Sequence, residues 1–440
     1  MNRIPRFLFP LAFALAFPLP PLLVGGAGIG RAMLASLEKA PNLSTSLPAQ
    51  PTYDPSKPVA VVVAGNGITE SSDLLGPYET LATSGKFNVF VAAPERRPSP
   101  LFPGKLNLVP HYSFAEYDQA FGGRPDLVVV PYIPDAEPAV LEWIRARAAA
   151  GSTILSICAG AQVVADAGVL GGQAATTHHG TLPVVEKSHP EVHWVHNRRY
   201  VDSGQFISSA GITSGVDASL YTLERFFGRE VADQTAQVMG YPHTRFLDDP
   251  TWLVPADSIV PVLPNAYRVH PTQIGMVLYD GVREVEVSSI LDTYPRSYAA
   301  EVHPLALQPG IIQTRHGLDL VAPEDLSTAP SLDRVLLPGS PDARVAGLVD
   351  SWAAARALHA ERIHPDGFYA YDATLRDMAQ DESNSVVREA ATGLEYPTRD
   401  LQLAGPEWRL DLVARPLALG LLGLGALLLL RIRRRLAVAA

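Results

Sequence analysis

The chain has 440 residues, 47% hydrophobic against 18% charged, with a net charge of −10 and a single cysteine. Such a charge gives no electrostatic footprint for nucleic acid, which needs clustered Lys and Arg, and one cysteine excludes an internal disulfide. The apolar excess points to membrane segments.

The first such segment, 7–30, carries no charged side chain and follows Arg3 and Arg6. Its length suits a membrane-crossing helix and the arginines mark a cytoplasmic flank, so it reads as a signal anchor. The competing reading is a cleaved signal peptide, with its apolar core at 7–17 and a small-residue cleavage site at Ala14, Leu15 and Ala16. Pro10, Pro18, Pro20 and Pro21 count against a regular helix. Segment 36–58, rich in Pro, Ser, Thr and Asn, reads as an extended linker.

Regular structure begins at 59. The runs 59–64, 87–92, 126–130 and 153–157 are short and apolar, as in strands buried on both faces, and helix-like stretches at 72–84 and 137–150 lie between them. This alternation predicts an α/β fold, a parallel sheet covered by helices on both faces.

The chemistry concentrates at 151–180, GSTILSICAGAQVVADAGVLGGQAATTHHG. An apolar strand runs directly into Cys158, and Ala159, Gly160 and Ala161 open a helix. A cysteine on such a turn faces a helix N-terminus, which is expected to lower its pKa. The small residues after it fit a crowded turn whose N–H groups, at Ala159 and Gly160, serve as an oxyanion hole or pocket wall. The bland alternative is a small core hydrophobe.

This segment, with SSAGITSGVDASLYTLERFFG at 208–228, resembles the ThiJ/PfpI superfamily of the class I glutamine amidotransferase-like fold. The similar branches are the isonitrile-hydratase-like proteins and the amidase-like sensor domains of AraC-type regulators. The resemblance covers about 58–242, and the domain is expected at 59–247. It implies that Cys158 is the nucleophile, that His178 is the neighbouring histidine, and that Asp73 is the acidic residue approaching the thiolate. A carboxyl there would act protonated, as a donor or proton shuttle. Asp73 also suits a helix N-cap, the choice between His178 and His179 stays open, and Asp217 reads as a structural helix-start residue. A metal on Cys158, His178 and His179 is disfavoured, since no structural-zinc spacing exists; neither metal nor cofactor is assigned. The hydratase branch usually has a hydroxyl residue after the nucleophile, whereas Ala159 stands here. AraC-type regulators continue into a basic helix-turn-helix module, and this chain does not.

Beyond a proline-bearing connection at 248–271, the sequence repeats itself. Ile274 to Leu278 echoes 59–64, DRVLLPG at 333–339 echoes DLVVVP at 126–131, and 372–397 matches 217–242 in length, with DATL and EYP for DASL and GYP. A degenerate second copy at 272–400 is expected, with Glu286 echoing the acidic position and no cysteine. The last segment, 412–430, is an apolar membrane span ahead of Arg431, Arg433, Arg434 and Arg435. Together these features predict a membrane protein with both termini cytoplasmic and its α/β body across the membrane. The expected function is a cysteine nucleophile acting on a small carbonyl, amide or nitrile-like carbon; the alternative is a small-molecule or redox sensor. The partners are a small molecule and the membrane, not nucleic acid; a homo-oligomer is left open.

Overall fold

The structure is a computed structural model that describes residues 14–37, 46–268, 270–399 and 401–439. Residues 7–13 of the first apolar segment and 38–45 of the linker lie outside it. Val59–Val63 is an inner strand of a seven-stranded sheet, parallel to Asn88–Ala93 on one side and Leu127–Val130 on the other. Thr153–Ser156 and Phe206–Ser209 extend the sheet in parallel, and Tyr200–Asp202 closes its edge antiparallel. Side chains alternate across a strand. Val59, Val61 and Val63 enter a core with Phe90, Tyr117 and Trp143. Ala60, Val62 and Ala64 enter another with Leu74, Leu81 and Leu220, from helices Ser71–Thr83 and Ser214–Phe227. Burial on both faces explains why these runs carry almost no polar residue.

A second sheet of five parallel strands centres on Thr272–Leu278. Ala300–Ala306 and Glu324–Asp325 lie to one side, with Arg334–Leu337 and Ala360–Arg362 to the other. The second apolar core runs without a break into this half, joining Leu74 and Tyr78 to Val287 and Leu291. Helix Ser71–Thr83 packs on helix Glu284–Thr293. Glu79, fully buried there, accepts hydrogen bonds from the Val285 N–H (2.7 Å) and Arg283 Nε (2.9 Å). Backbone also crosses the seam, because Leu106–Val109 pairs antiparallel with Asp319–Val321 inside a third, mixed sheet.

Among the described residues one helix, Leu410–Arg433, is long and apolar enough to cross a membrane. Helix Leu19–Leu37 is not, because Pro20, Pro21, four glycines and Arg31 dilute it. The two helices nonetheless meet closely. A Cβ at Gly423 would fall 2.2 Å from the Ala16 carbonyl oxygen, so only glycine permits the approach.

Candidate active site

Strand Thr153–Ser156 ends one residue before the turn, and helix Gly160–Asp166 starts two residues after Cys158. Between them Cys158 takes φ 55°, a left-handed conformation that costs a non-glycine residue energy and persists where surrounding bonds fix it. Those bonds are present. The Cys158 N–H donates to Ser209 Oγ at 3.1 Å, and its carbonyl accepts from Thr177 Oγ1 at 2.8 Å. Gly160 lets the helix start press on the neighbouring strand, since a Cβ there would lie 2.1 Å from the Val130 carbonyl oxygen. Its N–H is spent on the Ile157 carbonyl at 2.7 Å, so it is not an oxyanion donor. The Ala159 N–H is directed at the thiol.

Cys158 and Ala159 open on a cavity of about 560 Å³. Glu70, Tyr132 and His178 line it from the first half, and Asp292, Arg296, Tyr298 and Gly393 line it from the second. Asp73 sits just behind this wall, fully buried. Its Oδ2 accepts from the Tyr132 N–H at 3.1 Å, while its Oδ1 is buried without a partner. The N-cap role falls to Glu70, whose Oε2 accepts from the Asp73 N–H at 2.5 Å. Burial pushes the Glu70 carboxyl well above the usual range, with Asp73 and Asp292 adding to it; burial likewise raises Asp73.

The expectation of an acidified thiol is overturned. Burial drives the Cys158 pKa well up, and the Asp73, Glu70 and Glu395 carboxylates drive it further, against a single helpful N–H from Ala159. A seven-residue helix cannot outweigh that environment. At rest the group is a thiol.

Of the two histidines, His178 lines the cavity and His179 does not. His178 Nδ1 accepts from the Gly180 N–H at 3.1 Å and Nε2–H donates to the Gly393 carbonyl at 3.0 Å, which fixes the neutral tautomer. Burial lowers its pKa. His179 lies between Glu395 (Nδ1, 2.8 Å) and Asp257 (Nε2, 2.7 Å), and these bonds outweigh its burial, raising its pKa to about 9. His178, His179 and Glu395 bring ligand atoms within 4.8 Å of one another. Each of these side chains already makes hydrogen bonds within the protein.

Glu395 reaches in from the second half. Its carboxylate accepts from the N–H groups of His179 (2.9 Å) and Gly211 (2.6 Å), and its carbonyl from Arg199 and Thr213 Oγ1. Arg199, fully buried, pairs with Asp217 at 2.6 Å, so Asp217 is structural. Sequence reasoning missed Glu70, Asp292, Arg296 and Glu395. Only Glu70 carried a signal, its place three residues before Asp73 at a helix start.

Residues 57–225 match the DJ-1/PfpI family. The chain is 29% identical over 168 residues to an isonitrile hydratase of Pseudomonas putida, covering 36% of this chain and 68% of that one. It is 31% identical over 100 residues to the HTH-type transcriptional regulator CdhR of Pseudomonas aeruginosa, covering 23% of this chain and only 30% of the regulator. Among solved structures, a DJ-1 superfamily protein of Salmonella typhimurium is similar at 24% identity and TM-score 0.37, covering 42% of this chain and 99% of that one.

Proposed function

Residues 57–225 form a DJ-1/PfpI family domain, and from that premise we propose a membrane-tethered protein whose Cys158 adds to a small carbonyl, amide or nitrile-like carbon. The observation that carries this reading is the strained Cys158, φ 55°, opening on the cavity it shares with Glu70 and His178. Because the thiol rests protonated, it loses its proton as substrate enters, to the adjoining Glu70 and Asp73 carboxyl pair. His178 holds the cavity wall through its bond to Gly393 rather than serving as a free base. The 272–400 half is read as a degenerate second copy. Supporting that reading, the Asp217–Tyr241 bond (2.6 Å) recurs as Asp372–Tyr396 (2.7 Å).

The membrane tether rests on Leu410–Arg433 and on the exposed apolar side chains of the helix packed against it, Leu19, Leu22 and Leu23 among them. The α/β body and the arginines that end the Leu410–Arg433 span, Arg431 and Arg433, then lie on opposite sides of the membrane. Nucleic acid has no part in the reading, on the net charge of −10.

A second reading is favoured by one observation: a thiol with a raised pKa beside an imidazole already committed to the protein suits a ligand-binding sensor as well as a catalyst. Full-length protein incubated with small amides, nitriles and isonitriles separates the two. Turnover that vanishes in Cys158→Ala supports the enzyme. Saturable binding without turnover, retained in that variant, supports the sensor and overturns the enzyme.

A further inference from the structure

The cavity beside Cys158 is unequal in charge. Glu70, Asp257, Asp292 and Glu389 line it, against a single guanidinium, Arg296. Asp257 is answered by His179, and one oxygen of Asp292, Oδ1, is answered by Arg296 Nη2 at 2.8 Å and Nε at 3.1 Å. Two oxygens are left over. Glu70 Oε1 and Asp292 Oδ2 are both buried with no N–H or hydroxyl donor from the rest of the protein, on residues only 4% and 1% exposed, and the two carboxyls lie within hydrogen-bond reach of each other. Buried acceptors of this kind cost free energy until a donor meets them. One comes from each half of the molecule, and both residues line the same cavity.

We infer that these two oxygens form the seat of a primary ammonium group, so that the ligand of the Cys158 cavity is a small organic cation bearing N–H donors. This inference deepens the reading of the cavity given above and rests on it for the statement that Cys158 faces the ligand. An ammonium offers three N–H donors on one positive centre, enough to bond both oxygens and offset the carboxylate excess. A carboxylate ligand would meet only Arg296, whose charge Asp292 already answers. A quaternary ammonium has the charge but no donor, so it leaves both oxygens unmet. The subsite exists only where the two halves meet, since Asp292 comes from helix Glu284–Thr293.

The test uses the full-length protein in detergent and follows alkylation of Cys158 by iodoacetamide. Four probes of similar size are compared: ethanolammonium, tetramethylammonium, ethylene glycol and glycolate. Ethanolammonium is expected to slow alkylation by about threefold, the effect of roughly two-thirds occupancy, with little protection from the other three. Glu70→Gln and Asp292→Asn are each expected to abolish the protection; the second keeps the side-chain shape if the first disturbs the helix cap. Saturation-transfer NMR on ethanolammonium reads binding without any thiol reaction. An unreactive Cys158 with ethanolammonium bound would therefore sink the nucleophile reading and leave this one standing. Protection by glycolate or magnesium equal to that by ethanolammonium overturns the inference. So does no binding by either measurement, which means a shared proton alone occupies the pair, and so does protection unchanged in both variants.

Discussion

The His179 imidazole lies 2.8 Å from the carboxylate of Glu395, 216 positions further along the chain, and this contact ties the segment after the cysteine helix to the second half. Its protonation has a definite sign. The folded-state pKa of His179, about 9, exceeds its ordinary 6.5, so its contribution is complete below about 6.5 and is lost as pH rises through 9. The Glu395 pKa is lowered from 4.5, so its contribution is complete above 4.5 and is lost on acidification. Stability from this contact should therefore be greatest between those limits. Glu395→Gln should cost about 2–3 kcal/mol at pH 6, below the figure for a fully dry pair because the His179 side chain is 19% exposed. Thermal melts from pH 4 to 10 should show the variant losing part of the alkaline slope, the rest being kept by Asp257 on the other ring nitrogen; parallel curves would refute the assignment.

Cys158 should alkylate slowly at neutral pH, with a rate still climbing at pH 9 where an acidified thiol would have levelled off. Asp73 is the largest charged contributor to the raised pKa, after burial. Asp73→Asn should lower it and speed alkylation at pH 8 by about three- to tenfold, each unit being worth tenfold in thiolate. A pH–rate profile that levels off below 8 in the unmodified chain contradicts this account.

Arg199 should be among the costliest single positions. It is fully buried, and its guanidinium joins Asp217 to the Glu395 carbonyl. Arg199→Met leaves Asp217 buried with only Tyr241 to bond it and should cost about 3–5 kcal/mol in denaturant titrations. The double variant Arg199→Met, Asp217→Leu should recover part of that loss. If it recovers nothing, the cost lies in packing instead.

A chain ending at Pro264 should self-associate. It would bare the Leu74, Tyr78 and Leu81 face and leave strand Leu106–Val109 without its partner Asp319–Val321. Light scattering should register dimers or larger species at concentrations where the full-length protein does not form them. A stable monomer would mean that the second half is dispensable for folding.

How far these features could be read from sequence varied with their locality. The inner strands were legible because burial on both faces forces continuous apolar runs, and the Cys158 turn because Ala159 and Gly160 must be small where helix meets strand. The thiol pKa was misjudged because its direction depends on Glu70, Asp73 and Glu395, whose approach no local pattern encodes. Asp292 and Arg296 were unreadable for the same reason, since they reach the cavity only through the packing of two helices far apart in sequence. Of the first apolar segment, 7–30, only 14–30 are described, so a span there stays an expectation.

The seam also sets a timetable for synthesis. His178 bonds to Gly393, 215 positions later. At about 5–20 residues per second, a ribosome needs on the order of ten to forty seconds to travel that far. Throughout that interval the cavity lacks its far wall, and the one thiol of the chain stands open to whatever oxidants surround the emerging polypeptide. Finishing the chain is thus what shelters its sulfur.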